Sequence, residues 1–397
     1  GASMAFGLCP VLTQGAIECL SVHGSPQQQK LYLPKLVSGA WTGTMNLTEP
    51  QAGSDVGAVK ARAVPSAGGT YTVAGNKLFI TYGEHDMAEN IVHLVLARLP
   101  DAPPGTKGIS LFLVPKFLPN ADGSLGARND LKCLSIEHKL GIHGSPTCVM
   151  GYGEGGGATG FLVGEPNSGM RLMFTMMNMA RLSVGNEGVA IAEAAAQMAL
   201  AFARERVQGR VLGAPEGAPI LQHPDVLRMI LQMKALTGAA RAICLATAFA
   251  IDEAHTATSD AARTAASERE NILTPIAKSF ATDIGVEVAS LGVQVHGGMG
   301  YIEETGAAQL WRDSRIAPIY EGTNGIQALD LLTRKLPLRG GQAFAELAGD
   351  FTAEAQLVYA SRDPVVASLA PLLNSAGKTM AEAGQALLRG MEKHRGA

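Results

Sequence analysis

Glu321 lies in Ile319-Tyr320-Glu321-Gly322-Thr323-Asn324-Gly325-Ile326-Gln327, a carboxylate on a short non-helical step between two helical patterns. A Glu followed by Gly and Thr can be presented by a tight turn toward a cleft, with neighbouring backbone N–H groups free to bind a ligand. It can also simply cap the helix that follows. A second candidate is Met45-Asn46-Leu47-Thr48-Glu49-Pro50-Gln51-Ala52-Gly53-Ser54-Asp55, a strand running into a polar, Gly-containing loop. Its hydroxyls and amides could hold the edge of a heteroaromatic ring or merely form a turn.

Three other patterns look chemical and are set aside. Gly151-Tyr152-Gly153-Glu154-Gly155-Gly156 satisfies G-x-G-x-x-G, but no βαβ context surrounds it, and a glycine-rich hairpin loop is the better reading. Cys133, His138, His143 and Cys148 recur every five residues, a spacing that alternates faces on a strand and matches no zinc signature, so no metal site is expected. His296-Gly297-Gly298 has the look of an oxyanion loop, yet the chain contains no G-x-S-x-G nucleophile elbow.

The texture of the chain changes three times. Residues 1–40 read as helical, with Pro26 opening a short helix that carries Leu31, Tyr32 and Leu36. From 41 to 163 the pattern is strand-like: the runs at 71–73, 77–81, 91–96 and 109–114 are β-rich and separated by Gly, Pro and Asp clusters, as in a compact antiparallel domain. From 164 to 335 long Ala-, Leu- and Met-rich stretches near 168–207, 224–254 and 267–295 predict a helical bundle. The methionines 170, 173, 176, 177 and 179 read as helix-packing core rather than a cofactor box. Residues 336–397 start a further helical segment. His223, before Pro224, is expected at a helix start.

Composition narrows the function classes. The chain has 397 residues, 47% apolar and 17% charged, with a net charge of −3, so it can bury large cores and offers no basic field for nucleic acid or an anionic membrane. Five cysteines in unpaired spacings fit a reducing compartment, and a cytoplasmic location is the default expectation. No apolar run is expected to span a membrane, and no signal peptide is evident.

Taken together, the ordered motifs resemble the acyl-CoA dehydrogenase family. The Glu321 segment, with Arg312-Asp313-Ser314-Arg315 upstream, is similar to the family's catalytic-base motif, and Thr48 to Asp55 to its TEPxAGSD segment. Lys77-Leu78-Phe79-Ile80-Thr81-Tyr82-Gly83 resembles the K-x-[WF]-I-T-N-G strand, with Tyr82 in place of the commoner Asn. His138 to Thr147 resembles the strand and turn closing the family's β domain. Asn178-Met179-Ala180-Arg181 resembles its helical CoA-contact motif, with Asn where many members carry Asp. Arg206-Val207-Gln208-Gly209 is similar to the Arg-bearing segment that reaches flavin phosphates across a dimer, although the usual Phe is absent. Gln294 to Tyr301 matches the Gln-x-x-Gly-Gly-x-Gly-[YF] turn. His143 to Thr147 and Met176 to Arg181 read most like the large bacterial subgroup that includes 3-(methylthio)propionyl-CoA dehydrogenases.

The resemblance implies an α+β multidomain fold: an antiparallel β-barrel middle domain, then a C-terminal helical bundle, with the N-terminal helical domain mostly absent and only residues 1–40 as its remnant. It implies FAD as cofactor, held by Thr48, Phe79, Thr81, Arg206, Gln294, Gly297, Gly298 and Thr323. It implies an acyl-CoA substrate contacted by Ser54, Asn178, Arg181 and Tyr320. Glu321 is the implied base for α,β-dehydrogenation to the trans-2-enoyl-CoA, on a 3-(methylthio)propionyl-CoA or a short or medium acyl-CoA. A homodimer or higher homo-oligomer and an electron-transferring flavoprotein acceptor follow from the family. An acyl-CoA oxidase and a non-catalytic acyl-CoA-binding fragment are the alternatives; oxygen consumption marks the first and lack of flavin colour the second. The short N-terminal region also raises a fragment, a truncated gene product or a protein that has lost activity.

Overall fold

A computed structural model describes residues 3–395. Helix α1 (Met4–His23) begins where the Ser3 hydroxyl accepts from the N–H of Phe6, and α2 (Pro26–Val37) begins at a capping box between Ser25 and Gln28. Such caps satisfy N–H groups that a helix start leaves without partners. Helix α1 buries Leu12, Ala16, Cys19 and Leu20 against strand β1 (Trp41–Asn46) and the bundle.

The middle of the chain forms strands β1, β2 (Arg62–Pro65), β3 (Tyr71–Thr81), β4 (Asn90–Arg98), β5 (Ile109–Pro115), β6 (Phe117–Pro119), β7 (Leu125–Arg128), β8 (Leu131–Ile136), β9 (Thr147–Tyr152) and β10 (Ala158–Val163). The main sheet runs β1-β4-β5-β10-β3-β9-β8, and β2 pairs with both β3 and β4, which closes it into a barrel. Strands β4 and β5 are apolar and buried along nearly their whole length, as strands covered on both faces must be. Most pairs are antiparallel as expected, but β1 runs parallel to β4, and β2 meets β4 in parallel at Arg62 and Arg98. Two strands intervene between β1 and β4, enough chain for a parallel crossover. The runs at 71–73 and 77–81 form one strand, with a bulge between Lys77 and Ile80. The glycine-rich stretch after Tyr152 is the β9–β10 turn, with the N–H groups of Gly155 and Gly157 donating to Asp130.

Three long helices follow: α3 (Gly169–Glu205), α4 (Pro224–Thr256) and α5 (Asp260–His296). His223 occupies the N-cap position of α4. Gly185 faces Ala277 and Gly292 faces Ala195, so α3 and α5 run parallel. Their contact needs glycine: a Cβ on Gly188 would lie 2.2 Å from the carbonyl oxygen of Ala281. Met173, Met176 and Met177 are buried core, as their helical spacing predicts.

Short helices α6 (Ala307–Ser314) and α7 (Asn324–Asp330) flank Glu321, and α8 (Gln342–Tyr359), α9 (Pro364–Ala367) and α10 (Ala370–Arg395) form the last segment. Arg339 bridges Glu268 on α5 and Glu346 on α8, clipping that segment to the bundle.

One expectation needs correction. Both α1 and α4 are long and apolar enough to cross a membrane by length and composition alone. Helix α1 packs on β1 and α3, and α4 packs on α3 and α5 while leaving Leu231, Leu245 and Phe249 exposed.

Candidate active site

The turn carrying Glu321 is built by two consecutive left-handed residues, Glu321 at φ 56° and Gly322 at φ 85°. This conformation is strained for a non-glycine residue, so neighbouring groups must hold it. Lys278 on α5 donates to the Gly322 carbonyl and to Asn324 Oδ1, both at 2.9 Å. Gln327 Nε2 donates to the carbonyls of Glu321 at 3.3 Å and Gly322 at 3.1 Å. The Thr323 hydroxyl accepts from the Ile326 N–H at 3.1 Å, so capping of α7 falls to Thr323 and not to Glu321. With both carbonyls turned inward, the Glu321 N–H donates to no acceptor among the described residues.

The electrostatics favour a base. Burial pushes the Glu321 carboxyl up to about 7, against the pull of Arg181 and Lys278. Burial likewise brings Lys278 down to about 8 despite Glu321 nearby. A second carboxylate, Glu187 on α3, accepts a short hydrogen bond from the Tyr320 hydroxyl. Its pKa also rises to about 7, through burial above all, with the Tyr320 bond opposing and the charge of Glu321 adding.

Several residues named from sequence converge here, and others do not. Tyr320 packs against the buried cluster of Leu8, Cys9, Tyr82 and Ile142, as do Met4, Ala5 and Ile316, which brings the end of β3 and the start of α1 beside the Glu321 turn. Arg181 is buried and pairs with Asp330 at 2.9 Å, so its guanidinium supports the Glu321 region instead of facing a surface ligand. Asn178 is half-buried on α3, and Ser54 is exposed on the loop after Ala52. Thr48 and Thr81 are half-buried: the Leu78 N–H donates to the Thr48 carbonyl at 2.9 Å, and the Thr44 hydroxyl to the Thr81 carbonyl at 2.7 Å. Beneath them Lys77 Nζ donates to Glu49 at 2.8 Å and to the Leu47 carbonyl at 3.0 Å, pinning the Thr48 loop to β3.

Arg206, Gln294, Gly297 and Gly298 are exposed at the other end of the bundle, where Phe202 and His296 stack with ring centroids 4.5 Å apart. Lys278, beside the Glu321 turn, and Gln294 are sixteen residues apart on α5, about 24 Å at 1.5 Å per residue. Sequence reasoning missed Lys278, Glu187 and Asp330. A lone charge inside the apolar run Thr274-Pro275-Ile276-Ala277-Lys278 was the available signal for the first.

A flavin fits these residues. Phe79 is 60% exposed at φ 58°, so the bulge in β3 lifts an aromatic ring off the barrel wall beside Thr48 and Thr81. A Cβ on Gly297 or Gly298 would meet nothing within 4 Å, leaving that backbone open to close approach.

Comparison with known proteins shows the family. Residues 44–152 match the acyl-CoA dehydrogenase middle-domain model and residues 167–336 the acyl-CoA dehydrogenase C-terminal-domain model. The chain belongs to the acyl-CoA dehydrogenase family. Among relatives of this acyl-CoA dehydrogenase chain, a 3-methylmercaptopropionyl-CoA dehydrogenase of Ruegeria pomeroyi is 57% identical over 351 residues, 87% of this chain and 59% of that protein. A butyryl-CoA dehydrogenase of Syntrophomonas wolfei is 42% identical over 365 residues, 89% of this chain and 60% of that protein. The butyryl-CoA dehydrogenase structure from Megasphaera elsdenii superposes with a TM-score of 0.66 at 26% identity, covering 83% of this chain and 77% of that one. The chain thus spans about three fifths of the length of the two relatives named first. Acyl-CoA dehydrogenases are FAD-dependent oxidoreductases, in keeping with the exposed Phe79 and the open glycine turn.

Proposed function

We propose that this chain carries out α,β-dehydrogenation of an acyl-CoA thioester, with Glu321 as the base that removes the α-proton. The observation that carries this reading is the turn itself: a carboxyl raised to about 7 beside its own unpartnered N–H. A base with a pKa near the working pH is strong enough to take a proton yet still ionised in a useful fraction. As the α-proton leaves, negative charge builds on the thioester oxygen, and the Glu321 N–H is a donor for it. Preorganised donors of this kind are worth about 3–4 kcal/mol of transition-state stabilisation. Lys278 and Gln327 keep that N–H free by holding the two carbonyls of the turn.

Thr48, Phe79, Thr81 and Thr323 would hold FAD, which supplies the hydride acceptor when bound. Arg206 at the C-terminal end of α3, and Gln294, Gly297 and Gly298 at that of α5, lie at the other end of the bundle from Glu321, which supports a homodimer in which they contact the partner's cofactor. Ser54, Asn178 and Tyr320 are the residues proposed to meet the substrate. The 57% identical relative favours a short thioether acyl group, 3-(methylthio)propionyl. An electron-transferring flavoprotein as acceptor and a cytoplasmic location complete the proposal.

The test is anaerobic mixing of the purified, FAD-loaded chain with butyryl-CoA and with 3-(methylthio)propionyl-CoA. Bleaching of the flavin bands by the parent and its loss in Glu321→Gln is the expected result. A Glu321→Gln protein that bleaches at the parent's rate overturns the assignment of the base.

A further inference from the structure

Among the described residues, six that are not glycine have a left-handed backbone, and four of them gather at this site: Phe79 at φ 58°, Tyr82 at φ 51°, Ile142 at φ 47° and Glu321 at φ 56°. Such strain persists only where the surroundings hold it, and it clusters at functional sites. Phe79 and Glu321 already have roles in the proposed reaction, but Tyr82 has none. An aromatic residue is poorly suited to this backbone. Asn, the commoner residue at this place in the family strand, adopts it far more readily.

Two bonds hold Tyr82 in place. Its N–H donates to the Pro146 carbonyl, and its hydroxyl to the Ala5 carbonyl in the first turn of α1, each at 2.8 Å. The ring is buried in a cluster with Leu8 and Cys9 of α1 and with Ile142, whose own N–H donates to Asp313 Oδ1 at 2.5 Å. Tyr320 packs against this cluster, and Glu321 is the next residue. Tyr82 therefore joins three parts of the site. Its backbone continues β3 from Phe79 and Thr81, its hydroxyl fastens α1, and its ring belongs to the surface on which Tyr320 rests.

We propose that Tyr82 is a positioning residue, setting the Tyr320–Glu321 turn against Phe79 and Thr81 so that removal of the α-proton is aligned with departure of the β-hydride. The inference rests on the dehydrogenase reading. There the Glu321 carboxylate takes the α-proton, the β-hydrogen leaves with both electrons of its bond to bound FAD, and the electron pair left on the α-carbon closes the new C=C bond. The two transfers act on adjacent carbons of one substrate, so the base and the stretch proposed to hold the acceptor must keep a fixed separation. A displacement of about 1 Å can cost about 100-fold in rate.

Tyr82→Phe removes the bond to α1 and keeps the ring. Two measurements follow it. In the purified chain without added ligand, deuterium uptake by backbone amides is expected to speed up in peptides covering residues 4–12 and 316–323, because the first turn of α1 and the turn carrying Glu321 are held through the same cluster. In the FAD-loaded chain mixed anaerobically with butyryl-CoA, flavin reduction is expected to slow about tenfold while the dissociation constant of butyryl-CoA stays within about twofold. Tyr82→Asn, whose backbone suits the left-handed conformation, serves the same purpose if the Phe variant does not fold. A merely structural role would lower the urea midpoint and the fraction of chains holding FAD, and leave the reduction rate per bound flavin where it was. That result, or unchanged uptake at 316–323, overturns the inference. If the parent itself fails to bleach, the dehydrogenase reading falls and the alignment with it, whereas unchanged uptake beside normal bleaching overturns the role of Tyr82 alone.

Discussion

Lys278 Nζ and the carbonyl oxygen of Gly322 are 2.9 Å apart, so a buried cation from the middle of α5 fastens the residue that follows Glu321. The same ammonium holds Asn324, the first residue of α7, and therefore braces the turn from both sides of Thr323.

Lys278→Met removes both bonds while leaving the carbonyl and the amide oxygen in place without their donor. A loss of about 2–4 kcal/mol in unfolding free energy is expected, the range for a buried charged donor taken from its acceptors. Lys278 also pulls the Glu321 pKa downward. Without it the carboxyl rises further, so the limb of the kcat profile on which the base becomes ionised moves to higher pH. Urea unfolding and kcat against pH check the two effects separately, and an unmoved pH limb would show that Lys278 acts on the fold alone.

Glu321 itself should cost stability at neutral and alkaline pH. Its folded pKa of about 7 lies above the ordinary value of 4.5. In that window the folded state holds a proton that the unfolded state has released. The stabilisation from the neutral acid is therefore complete below about 4.5, declines as pH rises, and is gone above about 7. The full shift corresponds to about 3 kcal/mol, and partial exposure of the side chain reduces this to about 1–2 kcal/mol. Glu321→Gln is expected to match the parent's stability at pH 4 and exceed it by that amount at pH 8.5. Thermal unfolding at the two pH values decides it, and equal differences at both would place the carboxyl in a more solvated site than this.

Gly322→Ala tests the geometry of the turn. At φ 85° an L-residue is strained by about 1–2 kcal/mol. The added Cβ would also lie 2.8 Å from Gln327 Nε2, the donor that holds both carbonyls of the turn. A destabilisation of about 2–3 kcal/mol, with turnover falling more than acyl-CoA affinity, is the expected outcome. Unfolding midpoints and the separate measurement of kcat and KM give the answer.

How much of this site the sequence shows depends on whether a signal is local. Pro224 after His223, the helical spacing of Met173, Met176 and Met177, and the β-rich runs at 91–96 and 109–114 are consequences of neighbouring residues, and they led to the right elements. The partners of Glu321 are not local: Lys278 lies forty-four positions from Gly322, and Glu187 lies one hundred and thirty-three from Tyr320. Nothing in the chain near Glu321 reports them. Arg181 shows the converse. Its motif suggests a CoA contact, but its burial depends on Asp330, one hundred and forty-nine residues on, which supplies a counter-charge at 2.9 Å. The parallel β1–β4 pair is hidden for a related reason, since alternation specifies the faces of a strand and not its direction.

The Glu49–Lys77 pair connects the fold of the barrel to the Thr48 loop. Lys77 is fully buried, and Glu49 nearly so. Burial acts against the charge on Glu49, but Lys77 and the N–H groups of Lys60 and Ala61 outweigh it and hold its carboxyl below the ordinary range. Removing one partner of such a pair leaves a buried charge uncompensated, at about 3–5 kcal/mol. Lys77→Met is expected to show that loss in urea unfolding. Glu49 and Leu47, both held by Lys77, flank Thr48, so the same change frees the loop proposed to hold the flavin. FAD retained per chain after gel filtration should fall with it. The double variant Glu49→Gln, Lys77→Met removes the stranded charge and is expected to recover most of the stability while still losing flavin, because the Leu47 carbonyl remains without its donor. If flavin retention recovers in step with stability, the pair supports the barrel alone and the loop is held by other contacts.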